Sequence, residues 1–100
     1  HWAMRPSGNP LLLQALAVTL KARRAELGLS QEDLAGRAEI DRPFVSLLEV
    51  ARKQPTLSVL HRLATALEQS LSEFTESVEL NYSAIVAASS RRSGPVRKKA

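Results

Sequence analysis

Over its first three quarters the chain repeats apolar residues at steps of three, four and seven, the spacing that aligns one face of an α-helix. Leu13, Leu16, Ala17, Leu20 and Leu27 make the first stripe and predict a helix over about 11–27. Asn9 stands where an N-cap side chain accepts from free amides. Pro10 fits the first helical position, where its missing N–H is not needed, and Gly28 supplies the stop. Ser30-Gln31-Glu32-Asp33 has the form of a capping box and opens a second helix with Leu34, Ala35 and Ala38 inward, too short to stand without tertiary partners. Asp41 is the expected cap of a third helix, Pro43 is tolerated in its first turn, and Phe44, Val45 and Leu48 form its apolar side. Pro55-Thr56 restarts the chain before a fourth helix with Leu57, Leu60, Leu63, Ala64 and Leu67 inward. Ser70 to Phe74 predicts a fifth of one to two turns, with Leu71 and Phe74 facing the core.

Beyond Glu76 two periods coexist. Val78, Leu80, Tyr82, Ala84 and Val86 alternate as in a strand, whereas Val78, Tyr82, Ile85 and Val86 are spaced as in a helix, and the pattern leaves both open. Ser89 to Ala100 is rich in Ser, Gly, Arg and Lys, the composition of a flexible basic tail. At the other end, His1-Trp2-Ala3 reads as a cloning remnant before Met4, followed by an irregular arm through Asn9. The expected organisation is therefore remnant and arm over 1–9, a helical domain over 10–76, a candidate dimerisation segment over 77–88 and a tail over 89–100.

Composition narrows the alternatives. One hundred residues fit one domain, and aromatics at 4% leave a core of Leu, Ala, Val and Ile, which favours an all-α fold over a sandwich or barrel. The absence of Cys removes thiolate metal sites and cysteine nucleophiles and fits a reducing, cytoplasmic compartment. His61 has no second His or Cys nearby, so no metal or other cofactor is expected. No Ser-His-Asp or paired-carboxylate arrangement stands out, so the chain does not read as an enzyme. The longest apolar runs, Leu11–Leu13 and Ala84–Ala88, are far too short to span a membrane, and the opening residues lack a secretory pattern. The net charge of +4 misleads about location. Arg91, Arg92, Arg97, Lys98 and Lys99 carry +5, which leaves nine Lys/Arg against ten Asp/Glu in residues 1–90, a net of −1. Any phosphate-binding face must come from local clustering.

The most informative feature is the pair of short helices over 31–38 and 41–50 joined by Glu39-Ile40, a helix-turn-helix pattern. Ala35 is small where the helices cross, and Leu34, Ile40, Val45 and Leu48 are apolar where they seal the angle. Glu39 stands where a tight turn favours glycine, and a left-handed backbone there costs on the order of 1 kcal/mol.

Gly28-Leu29-Ser30-Gln31-Glu32-Asp33-Leu34-Ala35, then Val45-Ser46-Leu47-Leu48-Glu49, then Pro55-Thr56-Leu57 with Leu60, Leu63 and Ala64 resemble the phage-repressor/Cro (XRE) family of five-helix, lambda-repressor-like DNA-binding domains over about 10–76. The resemblance implies that Gln31 bonds DNA phosphate and braces the first recognition-helix residue, and that Arg24 and Glu49 form a partly buried structural ion pair. With Phe44, Val45 and Leu48 packed inward, the third helix would present Arg42, Pro43, Ser46 and Leu47 outward. Arg42 is the expected base reader, since its planar fork matches guanine O6 and N7. Pro43 and Leu47 cannot donate from their side chains, so base readout should be sparse and lean on Arg42, thymine-methyl contact and DNA shape. Ala51 replaces the family's glycine after the third helix, and Arg52 and Lys53 in the following loop are natural phosphate contacts, flanked by Lys21 and Arg23.

These residues lead to the expectation of a transcriptional regulator, in the first instance a repressor, that binds double-stranded operator DNA as a homodimer. The alternatives are an antitoxin that regulates its own operon while holding a toxin, and a protein-interaction adaptor that has lost base readout. The basic tail is expected to be solvated, with a DNA-tracking arm as the alternative.

Overall fold

The computed structural model describes residues 8–98, with side chains described through Arg92. It consists of α1 (Pro10–Glu26), α2 (Gln31–Ala38), α3 (Arg42–Glu49), α4 (Leu57–Ala66) and α5 (Leu71–Lys98), with no strand among the described residues. The remnant and most of the arm, residues 1–7, lie outside the described residues, as do Lys99 and Ala100.

Local chemistry sets most helix starts. Asn9 Oδ1 accepts from the Leu12 amide at 3.2 Å, with Pro10 opening α1. Ser30 and Asp33 form the expected reciprocal box, each bond 2.9 Å long, and Thr56 Oγ1 accepts from Val59 N at 3.1 Å. A second box, between Ser70 and Glu73, opens α5. Asp41 departs from expectation: it occupies the N-cap of α3, but its side chain accepts no capping bond. A cap bonds the second or third helical amide; the second residue here is Pro43, which has none, and the Phe44 amide goes to the Asp41 carbonyl at 3.0 Å.

Helix α1 is the spine, packed by α3 and α5, while α2 lies against α3 and α4. Leu20, Leu34, Val45, Leu48, Leu63, Leu67 and Phe74 are fully buried between them. Leu57, expected inward, is 69% exposed: the α4 stripe sinks progressively, with Leu60 half-buried and Leu63 and Leu67 sealed, so the first residue overhangs the core.

Helix α5 is far longer than the one to two turns the sequence suggests. Phe74, Val78, Tyr82 and Ile85 form one helical stripe against the core, while Leu80, which a strand would place beside Val78, is 67% exposed. The 77–88 segment is thus helical, and two cross-links hold it to α1: Asn81 Nδ2 donates to Thr19 Oγ1 at 2.8 Å, and Asn9 Nδ2 donates to the Tyr82 hydroxyl at 3.2 Å. Residues 89–98, expected as a flexible tail, continue the helix.

Each of the first four helices ends in a left-handed residue: Gly28 (φ 68°), Glu39 (φ 58°), Ala51 (φ 60°) and Glu68 (φ 63°). Three of the four are not glycine, and Glu68 carried no sequence signal.

Candidate nucleic-acid interface

Residues of α1, α2 and α3 meet in one hydrogen-bonded chain behind the outward face of α3. Arg24 grips Glu49 with both arms, Nε to Oε2 at 2.6 Å and Nη2 to Oε1 at 2.9 Å, and donates from Nη1 to the Leu29 carbonyl at 2.7 Å. Gln31 Nε2 donates to Glu49 Oε1 at 3.0 Å, and the Ser46 hydroxyl donates to Gln31 Oε1 at 2.7 Å. The Arg24 and Glu49 side chains are 17% and 3% exposed. Burial pushes the Glu49 carboxyl pKa up, but the bonds from Arg24 and Gln31 and the charges of Arg24 and Lys21 outweigh it and hold the group below its ordinary range. The bond to Glu49 in turn raises Arg24. Gln31 therefore braces Ser46 rather than Arg42, the first residue of α3; Arg42 forms no hydrogen bond or ion pair among the described residues.

Arg42 and Pro43 are exposed and Leu47 is 41% exposed, while Ser46 is half-buried at the edge of the same face. Arg52 and Lys53 follow in an exposed loop whose turn is closed by Arg52 N donating to Leu47 O at 2.9 Å. Lys53 Nζ sits 5.8 Å from the centre of the Phe44 ring, within cation–π reach.

The arginines divide into two sets. Arg23, Arg24, Arg37 and Arg62 each donate to a backbone carbonyl at or beyond the C-terminal end of a helix: Leu67, Leu29, Ala66 and Glu39 respectively. Arg23, expected to flank the phosphate-contacting loop, is instead committed to the end of α4, 3.0 Å from Leu67 O, and to Glu26. Lys21, Arg42 and Arg52 make no such bond among the described residues. With Lys53 they are the uncommitted cations of α1 to α4 and their connecting loops, and they sit on α1, α3 and the loop after α3; Arg91 and Arg92, exposed on α5, likewise make no hydrogen bond or ion pair among the described residues.

Among the described residues, no group of three or more His, Cys, Asp or Glu is placed to hold a metal ion, and His61 lies exposed on α4. No helix there is long and apolar enough to cross a membrane.

Comparison with known proteins bears on this arrangement. A family model described as a helix-turn-helix domain matches residues 15–76. An HTH-type transcriptional regulator of Methanothermobacter thermautotrophicus is 44% identical over 48 residues, covering 48% of this chain and 70% of that protein. The HTH-type transcriptional regulator DdrOP3 of Deinococcus deserti is 38% identical over 64 residues, 64% of this chain and half of that protein. Among solved structures, the clp gene regulator ClgR from Corynebacterium glutamicum superposes with a TM-score of 0.76 at 25% identity, covering 85% of this chain and 90% of that one. The restriction-modification controller protein C.Esp1396I, solved as a tetramer with its natural 35 base-pair operator, gives 0.67 at 31% identity, covering 71% and 93%. The match over 15–76 takes in all of α2, α3 and α4 and the residues of the Arg24–Ser46 chain, and the chain belongs to the phage-repressor/Cro (XRE) family of helix-turn-helix transcriptional regulators.

Proposed function

We propose that this regulator represses transcription by binding operator DNA as a homodimer, with the outward face of α3 in the major groove. The observation that carries this is the sorting of its cations. Within α1 to α4 and their loops, four arginines donate to backbone carbonyls, while Lys21, Arg42, Arg52 and Lys53 are left on α1, α3 and the following loop. Arg42, at the first position of α3, reads guanine. Leu47 meets a thymine methyl, and Pro43 rests against the base edges or backbone without donating. Arg52 and Lys53 bond phosphates. Gln31 keeps one amide proton beyond the one given to Glu49, and that proton serves phosphate.

One such domain buries too little DNA surface to be selective, and two related by a two-fold axis read half-sites one helical turn apart. C.Esp1396I bound to its operator as a tetramer supports assembly on DNA. The exposed Leu80 and Val86 on α5 supply apolar surface for the two-fold contact. The role is binding without catalysis, in the cytoplasm with the DNA it controls.

Titrating the protein into random duplex DNA at several salt concentrations, followed by selection from a random pool, tests the reading. Affinity should fall steeply with salt. Arg42→Ala should relax the selected sequence at one base pair, and Arg52→Ala should weaken all duplexes alike and lower the salt slope by about 1. Absence of binding at low salt, or two variants indistinguishable from the parent, overturns the assignment.

A further inference from the structure

We propose that Ser46 selects DNA bases as a hydrogen-bond acceptor, so that the base it faces carries an exocyclic amino group, adenine N6 or cytosine N4, and not the carbonyl edge of guanine or thymine. The inference deepens the DNA-binding reading and rests on it.

The polarity of Ser46 is set from the core outward. The guanidinium of Arg24 is donor only, and it engages both oxygens of Glu49. Glu49, held ionised by that pairing, is acceptor only. The Gln31 amide stands 3.0 Å from Glu49 Oε1, so the end turned toward it must be the NH2; the reverse orientation would set two acceptor oxygens against each other. With its NH2 committed there, Gln31 shows its oxygen to Ser46 at 2.7 Å. An amide oxygen only accepts, so the single hydroxyl proton of Ser46 is donated inward, and lone pairs remain for whatever approaches α3.

Position makes this polarity useful. Ser46 lies one helical turn after Arg42 and three residues after Pro43, at the edge of the exposed face of α3. Phosphate oxygens are themselves acceptors, so a hydroxyl whose proton is directed inward has nothing to give them. In the major groove the amino groups of adenine and cytosine are the donors it fits. Both kinds of base pair hold one amino base, so the discrimination concerns which strand carries it. Gln31 acts as the positioning residue, setting the direction of the Ser46 proton without needing to touch the base.

The test compares duplexes selected by the parent, Ser46→Ala and Gln31→Leu, and then competes single-base-pair variants at the position where the parent and Ser46→Ala differ. The parent should prefer adenine or cytosine on the contacted strand by about tenfold. Ser46→Ala should abolish the preference. Gln31→Leu keeps the hydroxyl but frees it to turn, so the amino-over-carbonyl ratio should fall below about twofold whatever uniform loss of affinity accompanies it. A measurement on the unaltered protein stands independently of how the variants fold. Removing the amino group from the DNA, with purine for adenine or 2-pyrimidinone for cytosine, should cost the same factor. Salt-dependent binding with guanine or thymine selected at that position, with the same selection by Ser46→Ala, or with no loss on removing the amino group, overturns the assignment to Ser46 alone. No binding to any duplex at low salt overturns the DNA-binding reading and this proposal with it.

Discussion

Arg23 and Arg24 are neighbours in the sequence, yet they build two different kinds of charged network. Arg24 turns toward α3, where Glu49 is 3% exposed and both its oxygens accept from the guanidinium, which also holds the Leu29 carbonyl. Arg23 turns toward the end of α4, where it meets Leu67 O at 3.0 Å and the exposed Glu26; Arg37 joins from α2, reaching Ala66 O at 3.3 Å and Glu68 at 3.5 Å. The same chemistry has different consequences because water reaches the carboxylates of one network far more than that of the other: Glu26 and Glu68 are 66% and 62% exposed, Glu49 3%. Excluded from solvent, an ion pair fixes geometry, and its loss leaves a charge stranded; in solvent, water replaces each lost bond.

Breaking the buried network should produce the largest effect. Glu49→Ala strands the Arg24 guanidinium and should cost about 3–5 kcal/mol in urea unfolding. A cost equal to that of removing Arg37 would show the two networks to be equivalent. The same contrast appears against pH. Glu49 has a folded pKa below its ordinary 4.5, so its stabilising contribution is fully present above the ordinary value and is lost as pH falls through the folded one. Asp33, lowered chiefly by the Ser30 amide, acts with the same sign. Acid titration of stability should therefore fall on the low side, and Glu49→Gln should flatten much of that limb; an unchanged limb would assign it elsewhere.

On the exposed side, Arg23→Ala removes the half-buried bond to Leu67 O and should cost about 1 kcal/mol in the same assay. Glu68→Gly, beside that network, relieves a left-handed backbone at φ 63° and should raise the unfolding midpoint by an amount equal to about 0.5–1 kcal/mol. A lower midpoint would mean that the ion pair with Arg37 outweighs the strain. Arg37→Ala should change stability by less than about 0.5 kcal/mol.

The recognition side was unevenly legible. The stripe of Leu34, Ala35, Val45 and Leu48 was readable because amphipathic spacing records burial, and it left Arg42, Pro43 and Leu47 outward by elimination. The Arg24–Glu49 pair came through resemblance, since nothing in spacing links residues 25 apart. The full length of α5 was hidden because Val78, Tyr82 and Val86 satisfy two periods at once, with Leu80 fitting the strand and Ile85 the helix; packing against the core chooses between them, burying Val78 and leaving Leu80 outside. Thr19 gave no warning of its role: it is buried, donates to Ala15 O at 2.7 Å and receives Asn81 from 62 residues away.

Where each of the first four helices begins, and which face of each turns inward, follows from the sequence by itself, because caps, prolines and apolar spacing act within one or two turns. Asp41 shows the limit even there, since its place was readable but its idle side chain was not. Which way Arg23 points, how far α5 runs and where the Ser46 proton goes were decided by the tertiary structure alone. Each depends on partners brought across space, Leu67 from 44 residues away and Gln31 from 15, and a local pattern holds no record of them.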